Sequence, residues 1–320
     1  MHKRLIGSSG IEVAPLALGG NVFGWTADEA TSFAILDRFV DAGGTMIDTA
    51  DVYSAWVPGH KGGESETVIG RWLKQSGKRD KVVIATKVGF LDGHIENDEY
   101  VAALDSRVVM AACDASLARL GTDRIDLYYQ HRDNEKVPLA DSLGAFDALV
   151  KAGKIRAVGL SNFEPPRIEE ALAAARHNGL TVPSAYQGWY NMLERDKYEG
   201  AIEDICTGQG VAMFSFYSIA NGFLAGKYRC AADLGKSVRG VRNMAYLEGK
   251  GPRVLAALDA VAAECGAPLA AVTIAWTRDR PGIAAPIASA TSLAQLDEQL
   301  IGMTLELTPG QVQQLDEASD

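Results

Sequence analysis

Asp48, Tyr53, Lys87 and His131 are side chains of the kinds that move protons, and they fall at the ends of three successive apolar runs. The run Thr45–Asp48 ends in the carboxylate, and Tyr53 follows in the next connection. Val82–Lys87 ends in the amine, and Ile125–Gln130 is followed at once by the imidazole. A phenol has a pKa of about 10 and is a poor acid at neutral pH. A lysine ammonium beside it favours the phenolate and lowers that pKa. An aspartate keeps such a lysine charged and in place, and a neutral histidine can donate to a carbonyl oxygen and orient it. Together these groups suit the reduction of a carbonyl, with Tyr53 giving a proton as a hydride reaches carbon. No side chain supplies a hydride, so a cofactor must.

Taken singly, each residue has an ordinary use: Asp48 as a cap, Tyr53 as a loop aromatic, Lys87 as a solvated strand end, His131 as a satisfied imidazole. Their coincidence matters only if one framework brings the three strand ends together. Short apolar runs rich in β-branched residues recur at Val13–Asn21, Thr45–Asp48, Val82–Lys87, Ile125–Gln130, Ile155–Leu160, Ser184–Gly188, Val211–Phe216 and Ile283–Ile287. Helical periodicity separates them, at Glu29–Asp41, Glu66–Gln75, Val108–Leu120, Leu143–Lys151, Pro166–Ala175, Ala201–Thr207, Val254–Glu264 and Leu293–Leu300. Alternating strands and helices imply βαβ units and a parallel sheet. Eight such units with right-handed crossovers predict an α/β fold, a (β/α)8 TIM barrel, in which every strand end opens on one mouth. An open doubly wound sheet is the alternative. Gly7-Ser8-Ser9-Gly10 reads as the turn of a short N-terminal hairpin. Arg229–Gly251 reads as a long loop after strand seven, and Leu305–Ala318, with Thr308 before Pro309, as an extra C-terminal helix. No linker interrupts the chain, so residues 1–320 are expected to form one barrel domain.

Composition narrows the function. The chain has 320 residues with 47% apolar and 22% charged side chains, which excludes disordered, collagen-like and coiled-coil proteins. A net charge of -10 repels phosphodiester backbones and argues against nucleic-acid binding. No apolar run has the ~20 residues of a membrane span. The first residues lack the apolar core of a secretion signal, so a cytoplasmic location is expected. Cys113, Cys206, Cys230 and Cys265 lie far apart without C-x-x-C spacing, and no His pair supplies ligand spacing, so neither a disulfide framework nor a metal site is expected. The Gly235-Lys236-Ser237 triplet lacks the first glycine of a P-loop and follows no strand, and the dinucleotide fingerprint of open sheets is absent.

Six stretches, in order and spaced like barrel strands, resemble the aldo-keto reductases over nearly the whole chain. They are GGTMIDTADVYS (43–54), GGESETVIGRWL (62–73), VVIATKVG (82–89), RIDLYYQHR (124–132), GKIRAVGLSNF (153–163) and APIASATSLAQLDEQL (285–300). The resemblance implies NADPH-dependent reduction of aldehydes and ketones, with the catalytic tetrad on Asp48, Tyr53, Lys87 and His131. It places the nicotinamide carboxamide against Ser161, Asn162 and Gln187, and the ring against Tyr217; without it, Ser161-Asn162 would read as a helix N-cap. Where the family commonly reads Tyr-Ser-Pro-Leu, this chain reads Tyr217-Ser218-Ile219-Ala220. Gly222, Leu224, Gly226 and Lys227 then fit the loop over the pyrophosphate. At the adenosine end, Ser289 and Gln295 stand where basic residues often grip a 2′-phosphate, with Gln299 at the adenine, so NADH is also possible. A compensating feature is charge: positions 227–253 carry seven basic and two acidic side chains. This flap, chiefly Arg239, is expected to clamp an anionic cofactor.

Aromatic residues in the loops at the expected mouth, Phe23, Trp25, Trp56, Phe90 and Trp189, suit ring-bearing carbonyls or sugar faces. Arg132 could meet a substrate carboxylate or hydroxyl, or pair with Asp133. The expected partner is therefore a small carbonyl compound, with the protein a monomer or a homo-oligomer. Two other classes are weighed: an NADPH-binding, slow-turnover redox-sensing subunit on the same fold, and an aldolase or isomerase using Lys87 as a Schiff base.

Overall fold

The computed structural model describes residues 2–91, 94–96 and 99–320. Strands β1 (Arg4–Leu5) and β2 (Glu12–Val13) pair antiparallel, forming the hairpin expected around Gly7–Gly10. Its apolar residues Ile6, Ile11 and Val13 join the cluster inside the barrel and so close the floor. The single first strand expected over Val13–Asn21 is two strands, β2 and β3 (Ala17–Gly19). Pro15 lies between them and has no N–H for a ladder. The Ala14 N–H donates instead to Thr45 Oγ1, 2.7 Å away.

From β3 the chain alternates. It runs through α1 (Glu29–Asp41), β4 (Met46–Asp48), α2 (Glu64–Ser76), β5 (Val83–Val88) and a small hairpin of β6 (His94–Glu96) and β7 (Glu99–Val101). There follow α3 (Ser106–Leu120), β8 (Ile125–Gln130), α4 (Leu139–Lys151), β9 (Ile155–Ser161), α5 (Pro165–His177), β10 (Ala185–Trp189), α6 (Ala201–Gln209) and β11 (Ala212–Phe216). Three helices come next, α7 (Met244–Glu248), α8 (Gly251–Cys265) and α9 (Leu269–Arg278), then β12 (Ile283–Ala288), α10 (Leu293–Ile301) and α11 (Pro309–Ser319). The sheet closes as a parallel barrel in the order β10-β11-β12-β3-β4-β5-β8-β9.

Local chemistry explains most boundaries. Asp28, Asp105 and Ser292 accept backbone N–H bonds at the starts of α1, α3 and α10. Thr308 and Gln311 form a reciprocal cap with Pro309 in the first turn of α11, as the sequence indicates. Helix α9 has no counterpart in the sequence reading. Every residue from Ala270 to Arg278 is buried, the polar Thr273, Thr277 and Arg278 included, so it presents no solvent-facing side. The segment Arg229–Gly251 is not a plain loop: it holds short 3₁₀ turns at Ala231–Lys236 and Gly240–Asn243 and then α7, and Gly251 already opens α8.

The core has an inner and an outer layer. Inside the barrel, Met46, Val83, Ala85, Leu127, Tyr129, Phe214 and Ile287 pack with small residues from the other strands. Gly159 is required there: a Cβ would lie 2.3 Å from the Tyr129 ring. Outside, helices bury large side chains such as Trp72 and Trp276 against the strands. Among the described residues no single helix is long and apolar enough to cross a membrane.

Candidate active site

Parallel strands place all their C-terminal ends on one rim. In register, Asp48 stands beside Gly19 and Ala85, Lys87 beside Tyr129, and Gln187 beside Ser161. The loop after β4 carries Tyr53 back over that rim. Ser54, at φ 75°, bonds its hydroxyl to the Phe23 carbonyl at 3.2 Å and pins the turn.

The four sequence-predicted groups meet. Lys87 Nζ donates to Asp48 Oδ2 at 2.7 Å, to the Thr49 carbonyl at 2.8 Å and to the Tyr53 hydroxyl oxygen at 2.9 Å. The Tyr53 hydroxyl reaches Asp48 Oδ2 only at 3.5 Å, so its proton is weakly held by the protein. Gln187 Nε2 donates to the other oxygen, Asp48 Oδ1, at 2.8 Å. The His131 ring stands 6.2 Å from the Tyr53 ring and edge-on to Phe90 at 4.5 Å.

Burial governs the electrostatics. Lys87 has no exposed surface and Asp48 has 2%. Burial pulls the Lys87 pKa below the ordinary lysine value, while Asp48, and further out Asp51 and Glu66, push it back up. Burial and then the Lys87 charge hold His131 well below its usual range, so the imidazole is neutral. Tyr53 corrects an expectation. Its pKa stands well above the ordinary phenol value, because burial, Asp48 and Tyr217 raise it more than Arg239 lowers it. The phenol therefore keeps its proton throughout the neutral range.

Asn162 lies at the end of β9 with φ 55°. It is not a helix cap, because Glu164 occupies that position before α5. Its amide donates to the His131 carbonyl at 2.9 Å and to Ser161 Oγ at 3.0 Å, leaving its carbonyl oxygen to accept. Beyond β11, Tyr217, Ala220 and Asn221 are left-handed at φ 57°, 45° and 54°. Tyr217 faces Trp189 with rings 4.7 Å apart, and Ser218 turns its hydroxyl back to the Ser215 carbonyl at 2.8 Å. Ile219 is half-buried, and Gly222 stands at φ 90°, a conformation that favours glycine.

The flap charge is only partly free. Arg229 pairs with Asp259, and Lys236 with Asp233. Lys250 and Arg253 bind carbonyls of the C-terminal residues Ala318, Ser319 and Asp320. The mouth is left with Arg239, whose guanidinium lies 4.8 Å over the Trp25 ring, and Arg242, which donates to the Tyr217 hydroxyl at 3.3 Å. Lys227 lies over the Tyr228 ring, 5.6 Å from its centroid. At the far end, Ser289 Oγ donates to Asn21 Oδ1 at 2.8 Å, and Gln295 Oε1 accepts from Thr291 N at 2.9 Å. Gln299 Nε2 donates to the Ser289 carbonyl at 3.0 Å, while its Oε1 is buried without a partner.

Trp25, Trp56 and Tyr53 form an aromatic run, with ring centroids 5.5 Å and 6.0 Å apart. Phe23 does not join it. It has no exposed surface and packs in the outer apolar layer, because the turn bridging Phe23 to Ala27 points it inward. Arg132 is exposed and does not take Asp133, which Arg167 holds in a two-pronged bond at 2.6 and 3.0 Å. The sequence reading passed over Asn21, Ser65, Glu66, Thr86 and Arg119, which support the site from behind. The stretch GGESETVIG contained two of them, but helical periodicity alone marks no role for a buried serine and glutamate.

The sequence profile of the Aldo/keto reductase family matches residues 15–320. The chain belongs to that family. A norsolorinic acid reductase of Emericella nidulans is 30% identical across 99% of this chain and 81% of its own length. An aryl-alcohol dehydrogenase of Pestalotiopsis microspora is 30% identical across 100% of this chain and 82% of its own length. A probable voltage-gated potassium channel subunit beta of Arabidopsis thaliana is 29% identical across 94% of this chain and 90% of its own length. This aldo/keto reductase is thus an NAD(P)H-dependent oxidoreductase acting on small carbonyl compounds, built on a (β/α)8 barrel with an N-terminal hairpin.

Proposed function

We propose that this aldo/keto reductase converts aldehydes and ketones to alcohols reversibly, with NADPH as the preferred cofactor and Tyr53 as the proton donor. One observation carries the reading: the Tyr53 hydroxyl lies 2.9 Å from an ammonium that is itself 2.7 Å from Asp48. The cofactor suits the residues present. The cations Lys227, Arg239 and Arg242 and the unpartnered Gln299 Oε1 match a phosphate-bearing ligand whose adenine carries an amino group. Ser161, Asn162, Gln187 and Tyr217 would hold the nicotinamide end. Ser218, Ile219, Ala220, Gly222 and Lys227 would line the pyrophosphate, with Ser289, Gln295 and Gln299 at the adenosine. When bound, the reduced nicotinamide supplies the hydride.

The chain's own groups do the rest. His131, neutral through burial, orients the carbonyl oxygen by donating to it. Tyr53 releases its proton to that oxygen as negative charge develops there, and the Lys87 ammonium stabilises the phenolate left behind. Asp48 holds the ammonium in place. The aromatic run Trp25, Trp56 and Tyr53, with Phe90 against His131 and Trp189 against Tyr217, favours ring-bearing substrates, which agrees with relatives named for norsolorinic acid and aryl alcohols. Arg132 at the exposed edge would meet a polar substituent.

The relative named as a channel subunit favours a second reading, an NADPH-binding subunit with slow turnover. A panel of aldehydes and ketones, followed by NADPH absorbance with NADH in parallel, separates the two. Tyr53→Phe should lose reduction by about 10²-fold or more with the NADPH dissociation constant retained. Negligible turnover on every substrate beside tight NADPH binding would instead support the subunit.

A further inference from the structure

Two consecutive residues of α2 reach through the barrel wall to two different strand ends. Ser65 Oγ accepts a bond from Thr49 Oγ1 at 2.8 Å and donates to the Gly20 carbonyl at 2.7 Å. Glu66 Oε1 accepts from Thr86 Oγ1 at 2.6 Å, and Glu66 Oε2 from Arg119 Nε of α3 at 2.6 Å. Thr49 directly follows Asp48, and Thr86 directly precedes Lys87. Ser65, Glu66, Thr49 and Thr86 all have no exposed surface. The Thr49 carbonyl is also one of the three acceptors on Lys87 Nζ. A buried glutamate is costly unless fully bonded, and this one is spent on the residue next to the reactive lysine.

We propose that Ser65 and Glu66 are positioning residues for this reducing site, fixing the approach of Asp48 to Lys87 through their bonds to Thr49 and Thr86. This rests on the reductase reading only for its catalytic readout. Among the groups around Lys87, Asp48 and Tyr53 touch it, Asp51 and Glu66 act on it from further out, and the charge of Lys87 is felt by His131, just after β8. Arg119, Cys113 and Tyr128 lie behind Glu66. Removing the Glu66 charge leaves Arg119 unopposed and makes Lys87 easier to deprotonate. Removing Arg119 leaves the glutamate unopposed and makes Lys87 harder to deprotonate. A part that served packing alone would not give opposite signs.

The test follows the Lys87 titration by NMR of ¹³Cε-labelled lysine, with the resonance assigned by its loss in Lys87→Met, and in parallel the alkaline limb of kcat. Glu66→Gln should move both to lower pH and Arg119→Gln both to higher pH, with the NADPH dissociation constant unchanged. Thr86→Val should lower kcat about tenfold at unchanged KM, and Thr86→Ser should restore it. Shifts of the same sign, no shift, or a Thr86→Val enzyme with full kcat would overturn the proposal. Should Glu66→Gln not fold, Arg119→Gln and the Thr86 pair decide alone. The NMR titration is independent of turnover, so opposite shifts in a protein that reduces no carbonyl would refute the reductase reading and leave the positioning intact.

Discussion

Arg239 stacks its guanidinium 4.8 Å above the ring of Trp25, so the segment after β11 touches the loop after β3 across the mouth of the barrel. Most other cations of that segment are tied to carboxylates or to the C-terminal carbonyls. Arg239→Ala should therefore weaken NADPH binding about 10- to 100-fold and NADH binding much less. Fluorescence titration with both cofactors measures the ratio, and an unchanged preference would show that Arg239 does not grip a phosphate.

Lys87 and Asp48 form a fully buried ion pair, and removing one member strands the other charge. Lys87→Met should cost about 3–5 kcal/mol of stability, together with a loss of about 10²-fold or more in kcat. Adding Asp48→Asn should recover much of the stability and none of the rate. Urea unfolding beside steady-state kinetics checks this, and a double variant that regains activity would mean the pair is only structural.

His131 stays neutral in the folded protein, because burial and Lys87 hold its pKa well below the ordinary 6.5. The unfolded chain takes up that proton as pH falls through the ordinary histidine range, so the native state loses stability there and keeps it above. Between about pH 7 and pH 5 the wild type should lose more stability than His131→Gln. Urea midpoints at both pH values supply the comparison, and equal slopes would count against a neutral buried imidazole.

Trp56 is 46% exposed, yet its ring lies 6.0 Å from that of Tyr53. If it forms the outer substrate wall, Trp56→Ala should raise KM for a naphthaldehyde about tenfold and leave that for a short aliphatic aldehyde unchanged. Equal changes for both substrates would place the ring outside the substrate path.

Much of this was readable in one dimension. The runs ending at Asp48, Lys87 and Gln130 are local patterns, and a strand's end lies on a parallel barrel's rim whatever its neighbours are. The terminal hairpin and the cap at Thr308 are likewise short-range chemistry. Helix α9 was not legible, because it buries Thr273, Thr277 and Arg278 together with its apolar side chains and presents no solvent-facing side. The burial of Phe23 and the pairing of several flap cations were hidden for a related reason: a residue's type says that it can pack or pair, and only its neighbours say with what.

The amino-acid order alone thus determined the alternation of strands and helices, and with it which side chains stand at the rim. The tertiary structure decided what those side chains feel. The phenol is held protonated by burial, Asp48 is shared between Lys87 and Gln187 from opposite sides, and Ser65 with Glu66 grips the site from outside the wall. Desolvation and long-range hydrogen bonds depend on atoms brought together from distant parts of the chain, and no local pattern encodes them.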